Sequence, residues 1–189
     1  MRLFVAVNLP AETRRSAHAA TAALRESLLP VRWVEEDALH LTLKFLGEVG
    51  AERSGPIGEA LKDAVRTVRP FELGLGGLGA FPDSARPRVF WLGVERHPAL
   101  ELLANDVERA LRPLGFESEL KPFQPHLTLG RARRNARPAD LSGWTAAAAG
   151  VEFESVVPVE SVDLMESSQG RNGPSYRIMQ RAVLGRDKA

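Results

Sequence analysis

The tetrapeptide His-Leu-Thr-Leu occurs twice, as His40-Leu41-Thr42-Leu43 and as His126-Leu127-Thr128-Leu129, and it uses half of the chain's four histidines. In an extended strand successive side chains point to opposite faces, so each copy sends His and Thr one way and its two leucines the other. That is a strand with an apolar side for a core and a polar side for chemistry. Two such strands set side by side gather two imidazoles and two hydroxyls around one small space. Imidazole titrates near pH 6.5, so a neutral ring takes a proton from a nucleophile while a protonated partner gives one to a leaving oxygen. Each transfer is worth roughly 10²–10⁴-fold in rate. The threonine hydroxyls donate to anionic oxygens. A phosphate suits the set, with hydroxyls on its free oxygens and attack and departure on opposite sides.

A metal is the rival use for paired histidines. Catalytic zinc takes three protein ligands from His, Cys or carboxylate. The chain has no cysteine, neither motif carries an acidic residue at a same-face position, and Glu48 lies past Gly47. His18 falls in a predicted helix and His97 precedes Pro98. Neither has a partner motif, and both read as structural or solvated. Arg131 opens the basic run Arg131-Ala132-Arg133-Arg134-Asn135-Ala136-Arg137. Strict alternation puts Arg131 on the leucine side, whereas a bulge at Gly130 brings it round to a bound phosphate. Lys44 shares the parity of His40 and Thr42, which places it at the cleft edge or, as a strand-end lysine, on the surface.

The elements that must position these residues are marked by hydropathy and by prolines and glycines. Leu3 to Val7 reads as a buried strand stopped by Pro10, which suits the first turn of a helix over 11–28. A short extended piece at Arg32-Trp33-Val34 precedes the first motif strand, which runs to Leu46. Leu61, Ala64, Val65 and Val68 form a helical stripe, and Leu100, Leu103, Val107, Leu111 and Leu114 form a second one ended by Gly115. Between them lie a glycine-alternating segment at 71–78, a proline-bounded loop and a strand at 89–94. After the second motif come the basic loop, an alanine-rich stretch at 146–149, and extended segments at 161–165 and 176–184 separated by a turn at 170–173.

With 189 residues, 44% hydrophobic and 26% charged, the composition is that of a soluble globular protein with a real core. A net charge of +1 gives no field for long polyanions or membranes, but leaves room for a small or terminal phosphate. The opening apolar run is cut off by Asn8 and Pro10, too early for a signal peptide, and no stretch reaches a bilayer's width. The expected setting is the cytoplasm, without membrane partners. No low-complexity linker divides 1–189, so it is expected to be one domain of two similar lobes, each giving one motif strand to a shared cleft, and to act as a monomer.

Taken with their surroundings, the motifs resemble those of the two-histidine (2H) phosphoesterases, and within them the RNA 2′,3′-cyclic phosphodiesterases, also called 2′-5′ RNA ligases or LigT-like proteins. The resemblance runs through Arg2-Leu3-Phe4-Val5-Ala6-Val7-Asn8-Leu9-Pro10, Leu39-His40-Leu41-Thr42-Leu43-Lys44-Phe45-Leu46-Gly47-Glu48 and Phe123-Gln124-Pro125-His126-Leu127-Thr128-Leu129-Gly130-Arg131. It also takes in Gly79-Ala80-Phe81-Pro82 and Pro87-Arg88-Val89-Phe90-Trp91-Leu92-Gly93-Val94, and is weakest over 132–158. It implies a bilobal α+β fold, antiparallel sheets lining a central cleft and helices outside. It implies hydrolysis of a 2′,3′-cyclic phosphate on an RNA end or nucleotide to a 2′-phosphomonoester, without metal or organic cofactor. On that resemblance His40 is the proton donor and His126 the proton acceptor, with Thr42, Thr128 and Arg131 on the phosphate. Reverse 2′-5′ ligation uses the same groups. Two alternatives stay open: a 2H enzyme for another cyclic phosphate or a 2′-5′ oligonucleotide, and a noncatalytic RNA-end binding module.

Overall fold

The structure is a computed structural model and describes residues 1–170 and 173–185. The expected turn at 170–173 has its central residues, 171 and 172, outside the described residues.

The chain runs β1 (Arg2–Asn8), α1 (Ala11–Ala20), α2 (Ala22–Glu26), β2 (Val31–Trp33), β3 (His40–Glu48), α3 (Ser54–Val65), β4 (Phe71–Phe81), β5 (Val89–Val94), α4 (Pro98–Leu111), β6 (His126–Ala132), α5 (Trp144–Ala149), β7 (Glu154–Val159), β8 (Ser161–Gly170) and β9 (Gly173–Val183). The strands pair antiparallel in the order β7-β4-β5-β6-β3-β1-β8-β9, with β2 added beside β6. Each motif strand is thus innermost in a four-stranded half. The halves meet at one backbone pair, Leu41 with Leu127. This is the expected α+β pair of similar lobes.

Because Leu41 and Leu127 hold the same place in the repeated tetrapeptide, the joint has a local two-fold character. Antiparallel register sets His40 across from Thr128 and Thr42 across from His126. Both leucines are essentially fully buried. Full burial of a leucine side chain is worth about 1.5–3 kcal/mol, so the apolar half of each motif fixes where its polar half points.

Helices pack on the leucine side. The predicted stripe on α4 is buried through Leu100, Leu103, Val107 and Leu111. His97 caps this helix, its Nδ1 accepting from the Ala99 amide at 3.2 Å, with Pro98 at the first position. The chain then tightens through Arg112–Leu114 and leaves at Gly115, whose φ of +81° is the left-handed region. α3 buries Ile57, Leu61 and Val65. The helix expected over 11–28 is broken at Thr21, whose hydroxyl donates to the Ala17 carbonyl at 2.8 Å and accepts from Arg25. Such back-bonding bends helices, a tertiary choice that periodicity does not show. β7, which pairs along the far edge of β4, is not among the elements expected from sequence; it lies almost wholly within 132–158, where the resemblance is weakest. No helix among the described residues is long and apolar enough to cross a membrane.

Candidate active site

The two motif strands share a second feature beyond the tetrapeptide. Ala6 faces Thr42 and Val5 faces Lys44, so Leu43 is an extra residue in β3. Trp91 faces Thr128 and Phe90 faces Gly130, so Leu129 is the same extra residue in β6. A bulge of this kind reverses the alternation beyond it. Leu43 and Lys44 are therefore both buried, as are Leu129 and Gly130. Phe45 and Arg131 are turned back to the polar side, where they are exposed.

This settles two positions that alternation left open. Arg131 faces the cleft, as a bulge at Gly130 allows. Lys44 neither lines the cleft edge nor sits on the surface. It is 2% exposed, and its ammonium donates to Glu108 Oε1 at 2.7 Å, Glu108 Oε2 at 2.8 Å and the Glu117 carbonyl at 2.7 Å. At the matching place in β6 only glycine fits: a Cβ on Gly130 would stand 2.6 Å from Cε3 of Trp33.

Both histidines are held in the same way. His40 Nδ1 lies 2.8 Å from the Ala38 carbonyl, and His126 Nδ1 lies 2.7 Å from the Gln124 carbonyl. Each carbonyl is two residues upstream and accepts only, so Nδ1 carries a proton and Nε2 is the nitrogen left for proton transfer. The His40 ring packs against Phe4 at 4.9 Å and edge-on to Tyr176 at 5.0 Å. The His126 ring packs edge-on to Phe81 at 4.9 Å. Burial holds both imidazoles below their ordinary value of 6.5; the backbone contacts oppose this, and the Arg131 cation adds to it. Both rings are thus held toward their neutral form. Burial pushes the Tyr176 phenol up, although the cations of Arg131, Arg2 and Arg32 act against that.

Phe4, Ala6 and Met165 form a small apolar cluster with Tyr176, apart from the main core. It lies on the polar side of β1, where Arg2, Phe4, Ala6 and Asn8 share parity. A cavity of about 300 Å³ opens beside it, bounded by Asn8, Arg14, His40, Tyr176, Ile178 and Arg181 among others. No β6 residue borders that cavity. His97 is a helix cap stacked on Phe71, and His18 is half-buried on α1 and does not border the cavity. Among the described residues no three of His, Asp or Glu converge as a metal-binding group.

Sequence reasoning missed Phe4, Phe81, Arg14, Arg181 and Tyr176. The chain's single tyrosine was the available signal, since a lone aromatic hydroxyl in a closing strand is an unusual occupant.

The comparisons agree with this architecture. The model of the 2′-5′ RNA ligase superfamily matches residues 10–171. A protein of Archaeoglobus fulgidus named RNA 2′,3′-cyclic phosphodiesterase is 38% identical over 178 residues, 94% of this chain and 97% of its own length. One of the same name from Thermotoga maritima is 32% identical over 95% of this chain and 93% of its own. The crystal structure of E. coli LigT complexed with 3′-AMP superposes with a TM-score of 0.74 at 32% identity, covering 98% of both chains. With a family model spanning most of its length, relatives of this identity and the same fold, the chain belongs to the 2′-5′ RNA ligase superfamily.

Proposed function

We propose that the protein is an RNA 2′,3′-cyclic phosphodiesterase that opens a terminal cyclic phosphate to a 2′-phosphomonoester by acid–base catalysis between His40 and His126. The observation that carries this reading is the doubled anchoring of the imidazoles, each Nδ1 bound to the carbonyl two residues upstream, on two strands that meet at equivalent leucines. The names of the relatives and the nucleotide bound to LigT support the same substrate class.

In this mechanism the cyclic phosphate enters with its free oxygens toward the Thr42 and Thr128 hydroxyls and Arg131. Its negative charge favours the protonated form of a neighbouring imidazole, against the burial that opposes it, and in this mechanism that imidazole is His40. Water attacks phosphorus as His126 Nε2 takes one of its protons. The bond from phosphorus to the 3′ oxygen breaks, and His40 Nε2 delivers its proton to that oxygen. The product keeps phosphate on the 2′ oxygen and a free 3′ hydroxyl, and solvent resets both rings.

In-line displacement puts the attacking water opposite the departing 3′ oxygen, and that oxygen belongs to the nucleoside. The histidine beside the nucleoside is therefore the acid. The cavity adjoins His40 and no part of β6, which supports His40 as donor and His126 as acceptor. A 2′-5′ linkage is formed by the same groups in the same direction when a 5′ hydroxyl takes the place of water, His126 taking its proton and His40 protonating the departing 3′ oxygen; the reverse reaction cleaves that linkage.

The test is turnover of a nucleoside 2′,3′-cyclic phosphate in EDTA, with the phosphate position of the product identified. His40→Ala and His126→Ala are each expected to lose roughly 10²–10⁴-fold in kcat. Full activity in either variant refutes the mechanism. A requirement for added divalent metal refutes its metal independence.

A further inference from the structure

We propose that the cavity beside His40 also holds the phosphate on the 5′ side of the terminal nucleoside, with Arg14 as its main contact and Arg181 as its second. This rests on the reading that the nucleoside lies on the His40 side of the cleft.

Arg14 projects from α1 into the cavity wall. Its Nε is buried and has no hydrogen-bond partner among the described residues. Among the described residues its Nη1 reaches only the Asp37 carbonyl, at 3.5 Å, the outer limit of a hydrogen bond. Among the described residues it has no carboxylate partner. A buried, charged donor without an acceptor is unfavourable, and the acceptor that suits it is an anion with oxygens spaced for a guanidinium fork.

Arg181, on the same wall, is in the opposite condition. Nε donates to Asp163 Oδ1 at 2.8 Å and Nη2 to Asp163 Oδ2 at 3.0 Å, and that carboxylate is fully buried. Asn8 donates to the same carboxylate at 2.7 Å. The guanidinium is therefore fixed in place, with its Nη1 edge unclaimed among the described residues. One loose and one clamped guanidinium beside a single cavity form a phosphate site, since guanidinium binds phosphate oxygens in pairs.

The rest of the wall suits the nucleoside between the two phosphates. Met165, Tyr176 and Ile178 give an apolar surface for a base. Asp37 supplies an acceptor for base N–H groups and repels a phosphate, which leaves the anion to the two arginines. A cavity of about 300 Å³ is at the small end of ligand sites. It admits one nucleotide, so recognition ends at the first 5′ phosphate and does not extend further along the strand.

The experiment compares kcat/KM for adenosine 2′,3′-cyclic phosphate with that for its 5′-phosphorylated form, using wild type, Arg14→Gln and Arg14→Lys. Wild type is expected to prefer the 5′-phosphorylated substrate by about tenfold, the worth of one charge-assisted contact. Arg14→Gln should reduce that preference below about threefold, and Arg14→Lys should keep an intermediate value. Thermal melting of each variant reports on folding. No wild-type preference, or equal losses on both substrates in Arg14→Gln, overturns the proposal. Calorimetry with 2′-AMP and adenosine 2′,5′-bisphosphate reads the same preference without turnover. An Arg14-dependent gain in affinity there, with neither cyclic substrate opened, refutes the catalytic reading while upholding the subsite. Equal affinities refute the subsite.

Discussion

Replacing Lys44 with methionine separates the bulged geometry of β3 from the simple alternation of an ideal strand. All three ammonium donors of Lys44 have acceptors, two on Glu108 and one on the Glu117 carbonyl. Methionine keeps most of the stem's volume and removes the charge. Glu108 and the carbonyl then lose their donors. Breaking a buried pair by deleting one partner costs about 3–5 kcal/mol. Glu108 is 21% exposed, against 2% for the lysine, so its carboxylate can turn partly to water and the low end applies. The expected loss is about 3 kcal/mol, or a fall in Tm of about 6–12 °C at 2–4 °C per kcal/mol for a chain of this size. The double variant Lys44→Met, Glu108→Leu should recover most of the loss, because an apolar pair of similar volume is often as stable as a buried ion pair. Urea and thermal unfolding at pH 7 measure both. Cyclic phosphodiesterase kcat/KM at 25 °C, where both variants stay folded, should remain within about threefold of wild type, the difference being under 1 kcal/mol. A stability loss below about 1 kcal/mol, or a stable Lys44→Met variant that has lost most of its activity, would return Lys44 to the cleft and refute the bulge argument.

Three further perturbations read the same site. Both imidazoles titrate below 6.5, chiefly through burial, and a pair that works with one shared proton is fastest between its two macroscopic steps. The kcat/KM profile should therefore be bell-shaped with its maximum below pH 6.5, and Arg131→Met should move it upward by removing a cation; a wild-type maximum above pH 8 contradicts this. The same sign applies to stability, which should be complete above pH 6.5 and decline below it, as the unfolded chain takes up protons that the folded rings resist. Gly130→Ala forces a Cβ to within 2.6 Å of Trp33 and 2.7 Å of Val31, and should cost about 1–3 kcal/mol in urea unfolding while raising KM through displacement of Arg131. Wild-type stability and KM in that variant would show that β2 yields freely.

The histidines, the threonines and the two-lobed plan were legible because they rest on period-two alternation and on a repeat, both local properties of sequence. Beyond Leu43 and Leu129 simple alternation fails, because an inserted residue reverses the facing of the positions after it, up to the next insertion at Leu46 in β3, without leaving a mark of its own. That is why parity offers Lys44 only the cleft edge or the surface, neither of which it occupies, and why it places Arg131 only conditionally. Phe4 was hidden for another reason: Leu3 to Val7 is apolar on both faces, so nothing distinguishes the core side from the cleft side. Arg14 and Arg181 reach the cavity from segments far apart in sequence, one a helix and the other the last strand. Only tertiary structure brings them together.

The strand order also sets the sequence in which the cleft is completed. Lobe two takes its β4, β5, β6 and β7 from one unbroken stretch, 71–159, whereas lobe one joins β1 and β3 near the beginning of the chain to β8 and β9 near its end. On a ribosome, lobe two has all its strands before β8, the second partner of β1, has been made, and chains emerge and fold in that direction. Until β9 arrives, His40 lacks the Tyr176 ring and the cavity lacks Ile178 and Arg181. The half that carries His126 thus has all its strands before the half that carries His40, and a nascent or C-terminally clipped chain holds His40 without its Tyr176 neighbour.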